Sequence, residues 1–229
     1  MKRTDRLGLR SLASVNEAVT ACRRCPRLVR FREGVEPKAS FSEQRYWRKA
    51  VPGFGDPRAR LVIIGIAPAA HGGNRTGRVF TGDGSGRFLV RALHAAGFAN
   101  KPVSESLDDG LVYLDCYLTA AVKCAPPADK PTPREFRNCS VYMEAELSML
   151  KDAKAVLVLG GLAFNAFRKY AKQSGAEVRG WHFRHGARYR SPSLPELFAS
   201  YHPSPRNTNT GKLTQEMLVS VLLEITEGF

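Results

Sequence analysis

The sequence predicts a single-domain α/β/α sandwich, because short apolar runs alternate along its 229 residues with segments of helical periodicity. Four runs are rich in Val, Ile, Leu, Tyr and Phe and are bounded by Gly, Pro or His, so they predict a mostly parallel, four-stranded central sheet. These predicted strands are residues 60–66, 111–124, 155–160 and 197–201. In such a sandwich ligands bind where the strands end, so a motif that directly follows a strand is a candidate site.

Four helices are predicted between and after these strands. Residues 85–97 place apolar side chains on one face and end at a glycine. In the next helix Thr132 is expected at the N-cap, Pro133 in the first turn and Glu135 three residues after the cap, a capping box that starts a helix reaching about residue 150. The other two predicted helices are residues 162–172 and 213–226.

The charge of the chain is unusual. Its 35 Lys and Arg against 21 Asp and Glu give a net charge of +14, which favours a polyanionic partner, either nucleic acid or an anionic membrane surface. Hydrophobic residues at 43% and charged residues at 24% exclude a disordered or collagen-like chain. No apolar run is long enough to span a bilayer and no signal sequence follows the charged start, so we expect a cytoplasmic protein. Residues 1–59, which are basic, are predicted to be an extension packed on a core domain of residues 60–229.

The densest candidate site is a glycine-rich segment, residues 65–86, which connects a predicted strand to a predicted helix. Six glycines after Gly65 would let the backbone approach an anionic or base-like ligand closely. The segment lacks the signatures of a Walker loop and of a dinucleotide fingerprint. Asp83 is the only acid between Asp56 and Glu105. It either caps the next helix or pairs with an arginine, or it has a catalytic role.

The five cysteines indicate metal ligation or free thiols rather than disulfides, because their number is odd and the expected compartment is reducing. Cys22 and Cys25 are separated by two residues and can chelate one metal or cluster, and Cys124 and Cys139 could complete a four-sulfur shell. Cys116 lies in an apolar strand and is expected in the core. The spacing supports zinc and an iron–sulfur cluster about equally, and unligated thiols remain an alternative.

Two further segments carry groups suited to nucleic acid. In residues 200–211, His202 and two prolines make a stiff loop whose polar side chains can bond phosphates or base edges. Residues 179–190 interleave arginines with aromatic side chains. The alternatives are a satisfied loop histidine and a solvated basic face. The residues predicted to contact DNA are Arg75, Arg184, His185, Ser204, Arg206 and Asn207.

Several short motifs occur in a fixed order between residues 22 and 211. They are Gly65-Ile66-Ala67-Pro68, Asn74-Arg75-Thr76-Gly77-Arg78, Phe80-Thr81-Gly82-Asp83, Cys124-Ala125-Pro126-Pro127, Lys130-Pro131-Thr132-Pro133 and Ser200-Tyr201-His202. With these motifs the chain resembles the family 5 (type b) uracil-DNA glycosylases. The resemblance implies the uracil-DNA glycosylase fold and a structural [4Fe–4S] cluster on Cys22, Cys25, Cys124 and Cys139. It also implies hydrolysis of the N-glycosidic bond of a damaged base in double-stranded DNA, leaving an abasic site.

The resemblance assigns roles to individual residues. Phe80 is expected to stack on the flipped base, Asp83 to stabilise the cationic sugar and position water, and His202 to act on the departing base. Many uracil-DNA glycosylases have a polar residue that orients water where this chain has Ala67, which leaves Asp83 as the candidate for positioning water. Related families have an Asn that reads uracil where this chain has Ala120, which implies a looser base filter, in agreement with the family's tolerance of uracil, hydroxymethyluracil, ethenocytosine, hypoxanthine and xanthine. The expected substrate-binding residues are Gly65, Ala67, Pro68, His71, Asn74, Phe80 and Ala120.

One position departs from the family pattern, since Asp129 stands where the family commonly has an Asn with a part in activity. If Asp83 and Asp129 face one pocket, their like charges raise one pKa, so Asp129 is counted with the catalytic residues. We expect a monomeric, monofunctional glycosylase that does not bind a membrane. The alternatives are a non-catalytic iron–sulfur or zinc DNA-binding protein and the related branch that captures the abasic sugar through a histidine.

Overall fold

A computed structural model describes residues 9–229 and has six strands and eight α-helices within that range. The strands are β1 (Phe54–Gly55), β2 (Leu61–Gly65), β3 (Cys116–Ala120), β4 (Ala155–Leu159), β5 (Ala187–Ser191) and β6 (Leu194–Ser200). The helices are α1 (Leu12–Thr20), α2 (Pro26–Glu33), α3 (Gly73–Thr76), α4 (Gly84–Ala95), α5 (Pro133–Met149), α6 (Gly161–Gln173), α7 (Pro205–Thr208) and α8 (Gln215–Glu227). Two short 3-10 turns, Ala39–Phe41 and Pro127–Asp129, complete the regular structure.

The sheet has the order β1-β3-β2-β4-β6-β5. Its four central strands are parallel and correspond to the four predicted ones, which confirms the α/β sandwich. The predicted strand count was wrong, because β1 and β5 add antiparallel edges. β1 is only two residues long, too short for a sequence pattern. β5 begins within the basic segment 179–190, and its exposed Arg188 and Arg190 alternate with less exposed residues, a pattern that suits an edge strand.

β2, β3 and β4 are buried along their whole length and β6 over its last four residues, as expected for a sheet with helices on each side. One apolar layer lies beneath α4 and α8, and the other beneath α5 and α6. The four predicted helices agree closely with α4, α5, α6 and α8, and the capping box of Thr132 and Glu135 forms as predicted. The predicted strand 111–124 was too long, because pairing with β2 covers only Cys116–Ala120.

The N-terminal segment forms two helices that lie on the sheet domain. α1 packs against α5, and Val15 and Val19 are fully buried in a third apolar cluster that also contains Leu28. β1, although within the predicted extension, belongs to the sheet, and the proposed boundary at residue 59 stays a prediction. Residues 1–8, which include the charged start, lie outside the described residues. Between residues 9 and 229 no helix is both long and apolar enough to cross a bilayer.

A buried ion pair joins β3 to α5. The Lys123 side chain is 1% exposed and its ammonium donates to both carboxylate oxygens of Glu146, each at 2.7 Å, and to Thr119. The Thr119 hydroxyl donates to Glu146 at 2.8 Å. Because removing one partner of such a pair leaves an uncompensated buried charge, this contact fixes the chain just after β3. That segment leads directly to the candidate site.

Candidate active site

A cavity of about 570 Å³ lies at the carboxyl ends of β2, β3 and β6. It brings together residues from the glycine-rich segment, the end of β3, the loop before α5 and the loop after β6, as the α/β topology predicts. The site residues predicted from sequence that line it are Ala67, Pro68, His71, Phe80, Asp83, Ala120, Asp129, His202 and Ser204. Its volume is in the range of small-molecule sites.

The Phe80 ring forms an aromatic wall of the cavity and is held there by a close backbone approach. A Cβ atom on Gly65 would lie 2.5 Å from the Phe80 ring, and a Cβ on Gly86 would lie 2.3 Å from the Phe80 carbonyl oxygen. Phe80 itself has a φ of 51°, a left-handed conformation that a bulky residue adopts only when its surroundings impose it. Gly65 therefore makes room for Phe80 and does not itself line the cavity.

Asp83 caps the following helix, which is the first of the alternatives considered for it, and its catalytic role stays a prediction. It is the N-cap of α4, and one carboxylate oxygen accepts a hydrogen bond from the Gly86 amide at 2.9 Å. The other oxygen lies beside Gly72, where an added Cβ would be 1.8 Å away. Burial raises the pKa of Asp83 although the Gly86 and Ser85 amides and nearby arginines oppose the rise. The helix cap thus holds a carboxylate that is poorly solvated.

His202 is the second titratable group of the cavity. Its ring centroid is 6.5 Å from that of Phe80. Burial lowers the pKa of His202 to about 4, so the imidazole is neutral at neutral pH. Asn207 donates from its side chain to the His202 carbonyl at 2.8 Å, which fixes the loop after β6. A neutral imidazole has one N–H donor and one acceptor nitrogen.

Asp129 lines the same cavity from the loop before α5. The condition set for Asp83 and Asp129, that both face one pocket, is met. Asp129 is exposed and has a φ of 55°, and the preceding Ala128 is also left-handed at 52°. Asn and Asp adopt this conformation more readily than most residues, so the backbone accommodates either residue at position 129.

Two residues expected to contact ligand or DNA are instead structural. Asn74 is fully buried outside the cavity lining, and its amide donates to the Arg32 carbonyl. Arg75 is 7% exposed, and its guanidinium donates to Gln44 at 2.6 Å and to the Gly82 carbonyl at 3.1 Å. The predictions for Asn74 and Arg75 were wrong, because the sequence does not reveal that α3 packs against the N-terminal segment.

A buried ion pair secures the segment that carries Phe80 and Asp83. Arg78 is 0% exposed and donates to Thr81 at 2.9 Å and to Asp109 at 2.7 Å. The Arg78 hydrogen bond and three backbone amides hold the pKa of Asp109 well below its usual range, despite burial. Arg78 therefore anchors the glycine-rich segment from inside the protein. It belongs to one of the sequence motifs, but it was given no role from the sequence.

The other predicted DNA-contacting residues lie around the mouth or on the sheet edge. Arg206 is exposed on α7, and Arg184 is exposed before β5. His185 stacks on Tyr201 with ring centroids 5.2 Å apart. Fewer cations of residues 179–190 are unpaired than the composition indicates, because Arg188 and Arg190 both form ion pairs with Glu196 on β6.

The four cysteines outside β3 border one small space between the N-terminal segment and α5. They are Cys22, Cys25, Cys124 and Cys139. Among residues 9–229, no three His, Cys, Asp or Glu side chains are grouped closely enough to hold a single metal ion. The buried Arg32 guanidinium donates to the Cys124 sulfur at 3.0 Å, and the Lys123 amide donates to the Cys139 sulfur at 3.2 Å. Cys116 is buried in β3, as predicted.

The fold and the cavity together define an enzyme-like site for a planar ligand. The protein is an α/β/α sandwich, and its cavity at the strand ends has an aromatic wall, a desolvated carboxylate and a neutral histidine.

The model of the uracil DNA glycosylase superfamily matches residues 52–226. A type-5 uracil-DNA glycosylase of Thermus thermophilus is 50% identical over 209 residues, which cover 91% of this chain and 94% of that protein. A type-5 uracil-DNA glycosylase of Pyrobaculum aerophilum is 47% identical over 208 residues, 91% of this chain and 88% of that protein. A type-4 uracil-DNA glycosylase of Sulfurisphaera tokodaii is 27% identical over 212 residues, 90% of this chain and 81% of that protein. The chain belongs to the uracil-DNA glycosylase superfamily and, within it, to the type-5 family.

Replacing Asp83 by asparagine should increase the free energy of unfolding at neutral pH, because Asn can keep the cap on α4 and removes a buried charge. Burial raises the pKa of Asp83 in the folded protein, so the charge destabilises the fold above that pKa. The destabilisation fades as the pH falls to the unfolded-state pKa of about 3.9. Urea unfolding of wild type and Asp83→Asn between about pH 3.5 and pH 8 measures the difference, which should be largest at the alkaline end. Asp152→Asn, at an exposed aspartate, is the control, and a difference that does not depend on pH would contradict the prediction.

Proposed function

We propose that this member of the uracil-DNA glycosylase family hydrolyses the N-glycosidic bond of uracil and of other deaminated or damaged bases in double-stranded DNA, leaving an abasic site. The observation that carries the proposal is the convergence of Phe80, Asp83 and His202 on one cavity at the strand ends. A protein that only binds DNA would gain nothing from a buried carboxylate in such a cavity, because its charge destabilises the fold. The net charge of +14 suits a DNA substrate.

The chemistry follows from how charge develops as the bond breaks. The base must first leave the duplex, and the Phe80 ring offers a surface on which it can stack. Bond cleavage makes the sugar positive and the departing base negative. Ionised Asp83 stabilises the sugar and accepts a hydrogen bond from the attacking water. Neutral His202 donates its N–H to the departing base, and needs no protonation to do so.

The range of bases that the site can accept depends on the lack of polar side chains at two positions of the cavity wall. Ala67 and Ala120 line the cavity with methyl groups, which make no hydrogen bonds to a base. A wall of this kind discriminates weakly between bases of similar shape, since a methyl-sized difference changes the barrier by only about 1–3 kcal/mol. We therefore expect uracil, hydroxymethyluracil, ethenocytosine, hypoxanthine and xanthine all to be substrates.

The cysteines Cys22, Cys25, Cys124 and Cys139 would hold the structural [4Fe–4S] cluster. The donor set fits, because the surrounding space is bordered by four sulfurs and by no carboxylate. Arg32 is 1% exposed beside the Cys124 sulfur, and its nearest carboxylate, that of Glu33, is 4.0 Å away. A buried cation without a close counter-ion suits an anionic thiolate group. Bound iron would supply cross-links between α2, the loop after β3 and α5.

The DNA would approach the mouth of the cavity, where Ser204 and the exposed Arg206 can contact phosphates. We propose that the protein acts as a monomer in the cytoplasm and that it has no membrane partner.

Asp83→Ala is expected to lower the rate of uracil excision by about 10²–10⁴-fold, the contribution typical of a positioned acid–base group. Single-turnover excision from duplexes containing uracil, hypoxanthine or ethenocytosine measures it, with Asp152→Ala as the control. Binding of the variant to an abasic duplex should remain near the wild-type affinity. An undiminished rate in Asp83→Ala would assign catalysis to His202 or to another group, and no excision by the wild type would favour the non-catalytic alternative.

Asp129→Asn is expected to change either the excision rate or the ranking of the bases. The substitution removes a negative charge from the cavity that also holds Asp83, so Asp83 should lose its proton at lower pH. The pH dependence of uracil excision measures this effect, and the acid limb should shift to lower pH in the variant. An identical profile and identical turnover on all bases would remove Asp129 from the site.

Iron analysis tests the cluster. The purified protein should be brown and contain about four iron atoms per chain, and Cys22→Ser should lower both the iron content and the visible absorbance. Cys116→Ala, at the cysteine buried in β3, is the matched control and should retain its iron. A colourless protein with zinc, or with no metal, would refute the cluster.

A further inference from the structure

One wall of the cavity comes from the N-terminal segment. Lys38 borders the cavity, and the hydroxyl of Tyr46 lies 2.9 Å from Nδ1 of His71, which also lines the cavity. The two rings meet edge to face, with centroids 6.0 Å apart. Tyr46 is 5% exposed, so its hydroxyl has little access to water. Nothing in the proposed mechanism uses this pair.

The hydrogen bonds determine which nitrogen of His71 carries the proton. The Lys38 amide can only donate, and it lies 3.4 Å from the Tyr46 oxygen. Among residues 9–229 the Tyr46 hydroxyl has no acceptor other than Nδ1 of His71, and a buried hydroxyl without an acceptor is costly. Tyr46 therefore donates to Nδ1, and the proton of a neutral His71 must be on Nε2.

His71 is neutral in this environment. Burial lowers its pKa, and the charges of Lys38 and Arg75 lower it further. Within residues 9–229, Nε2 has no hydrogen-bond partner. Because His71 lines the cavity, its Nε2–H is the one donor that this side chain has left for a ligand there.

We propose that His71 recognises the flipped base by donating its Nε2–H to an exocyclic carbonyl oxygen, and that Tyr46 is the positioning residue that fixes this tautomer. The inference rests on the proposed function and specifies which of the proposed bases gain from this contact. Uracil, hydroxymethyluracil, hypoxanthine and xanthine carry the oxygen that deamination creates, whereas ethenocytosine lacks it and is bound without this contact. Uracil and hypoxanthine carry a carbonyl oxygen where cytosine and adenine carry an amino group. A single donor therefore favours deaminated bases of both ring sizes and disfavours their parent bases, which would leave two donors facing each other.

This arrangement accounts for selectivity in a cavity whose other walls are permissive. Ala67 and Ala120 allow bases of different shapes, and the one donor of His71 selects for the oxygen that deamination creates. The N-terminal segment thereby contributes to base recognition as well as carrying Cys22 and Cys25.

A cycle of enzyme and substrate changes tests the hydrogen bond. Single-turnover excision is measured on matched duplexes containing uracil or 2-pyrimidinone, which lacks the O4 oxygen of uracil together with its N3 proton, for wild type, His71→Leu and His71→Gln. Loss of O4 should slow the wild type by about tenfold beyond its effect on His71→Leu, the value of one hydrogen bond at the transition state. His71→Gln retains an N–H donor and should recover part of that difference. His94→Leu, at an exposed histidine on α4, is the control and should match the wild type.

The tautomer is measured directly by ¹⁵N NMR of the histidine ring. His71 should be protonated on Nε2 in the wild type, and Tyr46→Phe should raise the Nδ1-protonated population and weaken the dependence on O4. Tyr170→Phe, outside the cavity, should change neither. An equal effect of O4 removal in wild type and His71→Leu, or an Nδ1-protonated His71 in the wild type, would overturn the inference. Absence of uracil excision by the wild type would overturn the proposed function and this recognition with it, whereas excision without coupling to O4 would overturn the recognition alone.

Discussion

The contact between the Phe80 ring and the backbone of Gly65 is the constraint on which the site depends. It requires the chain after β2 to fold back over the end of its own strand, and the left-handed Phe80 provides the reversal. Such a conformation is costly, so the surroundings must hold it. Two buried guanidinium groups hold it in place. That of Arg78 forms an ion pair with Asp109, and that of Arg75 donates a hydrogen bond to the Gly82 carbonyl. Arg75, which was predicted to contact DNA, and Arg78 thus both support the loop that encloses the cavity.

The same fold-back creates the electrostatic character of the site. Because Asp83 follows directly, it begins α4 and takes a hydrogen bond from the helix, yet it lies deep enough that burial raises its pKa. His202 enters from β6 and is kept neutral by the same low-polarity surroundings. An ionised carboxylate and a neutral imidazole are the protonation states needed beside a cationic sugar and an anionic leaving base. In the proposed mechanism, the buried charge of Asp83 therefore serves the transition state at the expense of folding stability.

The parts of this structure that local chemistry determines could be predicted from sequence. Apolar runs indicate the four parallel strands, and the residues around Thr132 indicate the capping box of α5. The rule that sites lie at strand ends places Asp83 and His202 in one cavity. The parts that depend on long-range packing could not. The buried roles of Asn74 and Arg75 arise from contacts with residues about 30 to 40 positions away, and no periodicity reports such contacts. Edge strand β5 was missed because its alternation of arginines with apolar residues also fits a surface that binds nucleic acid.

Tyr46 and Lys38 were missed for a related reason, and they change the role of the N-terminal segment. This segment carries Cys22 and Cys25, and it reaches the cavity through Lys38 and through the contact of Tyr46 with the cavity residue His71. On the core domain, Cys124 is separated from Asp129 by only four residues, so the cysteine group and the cavity share a short loop as well. Lys38 and Asp129, which line the cavity, thus both lie on segments that carry cysteines of this group. A cluster that joined those sulfurs would take no part in the chemistry, yet it would set the distance between His71 and Asp129 across the base.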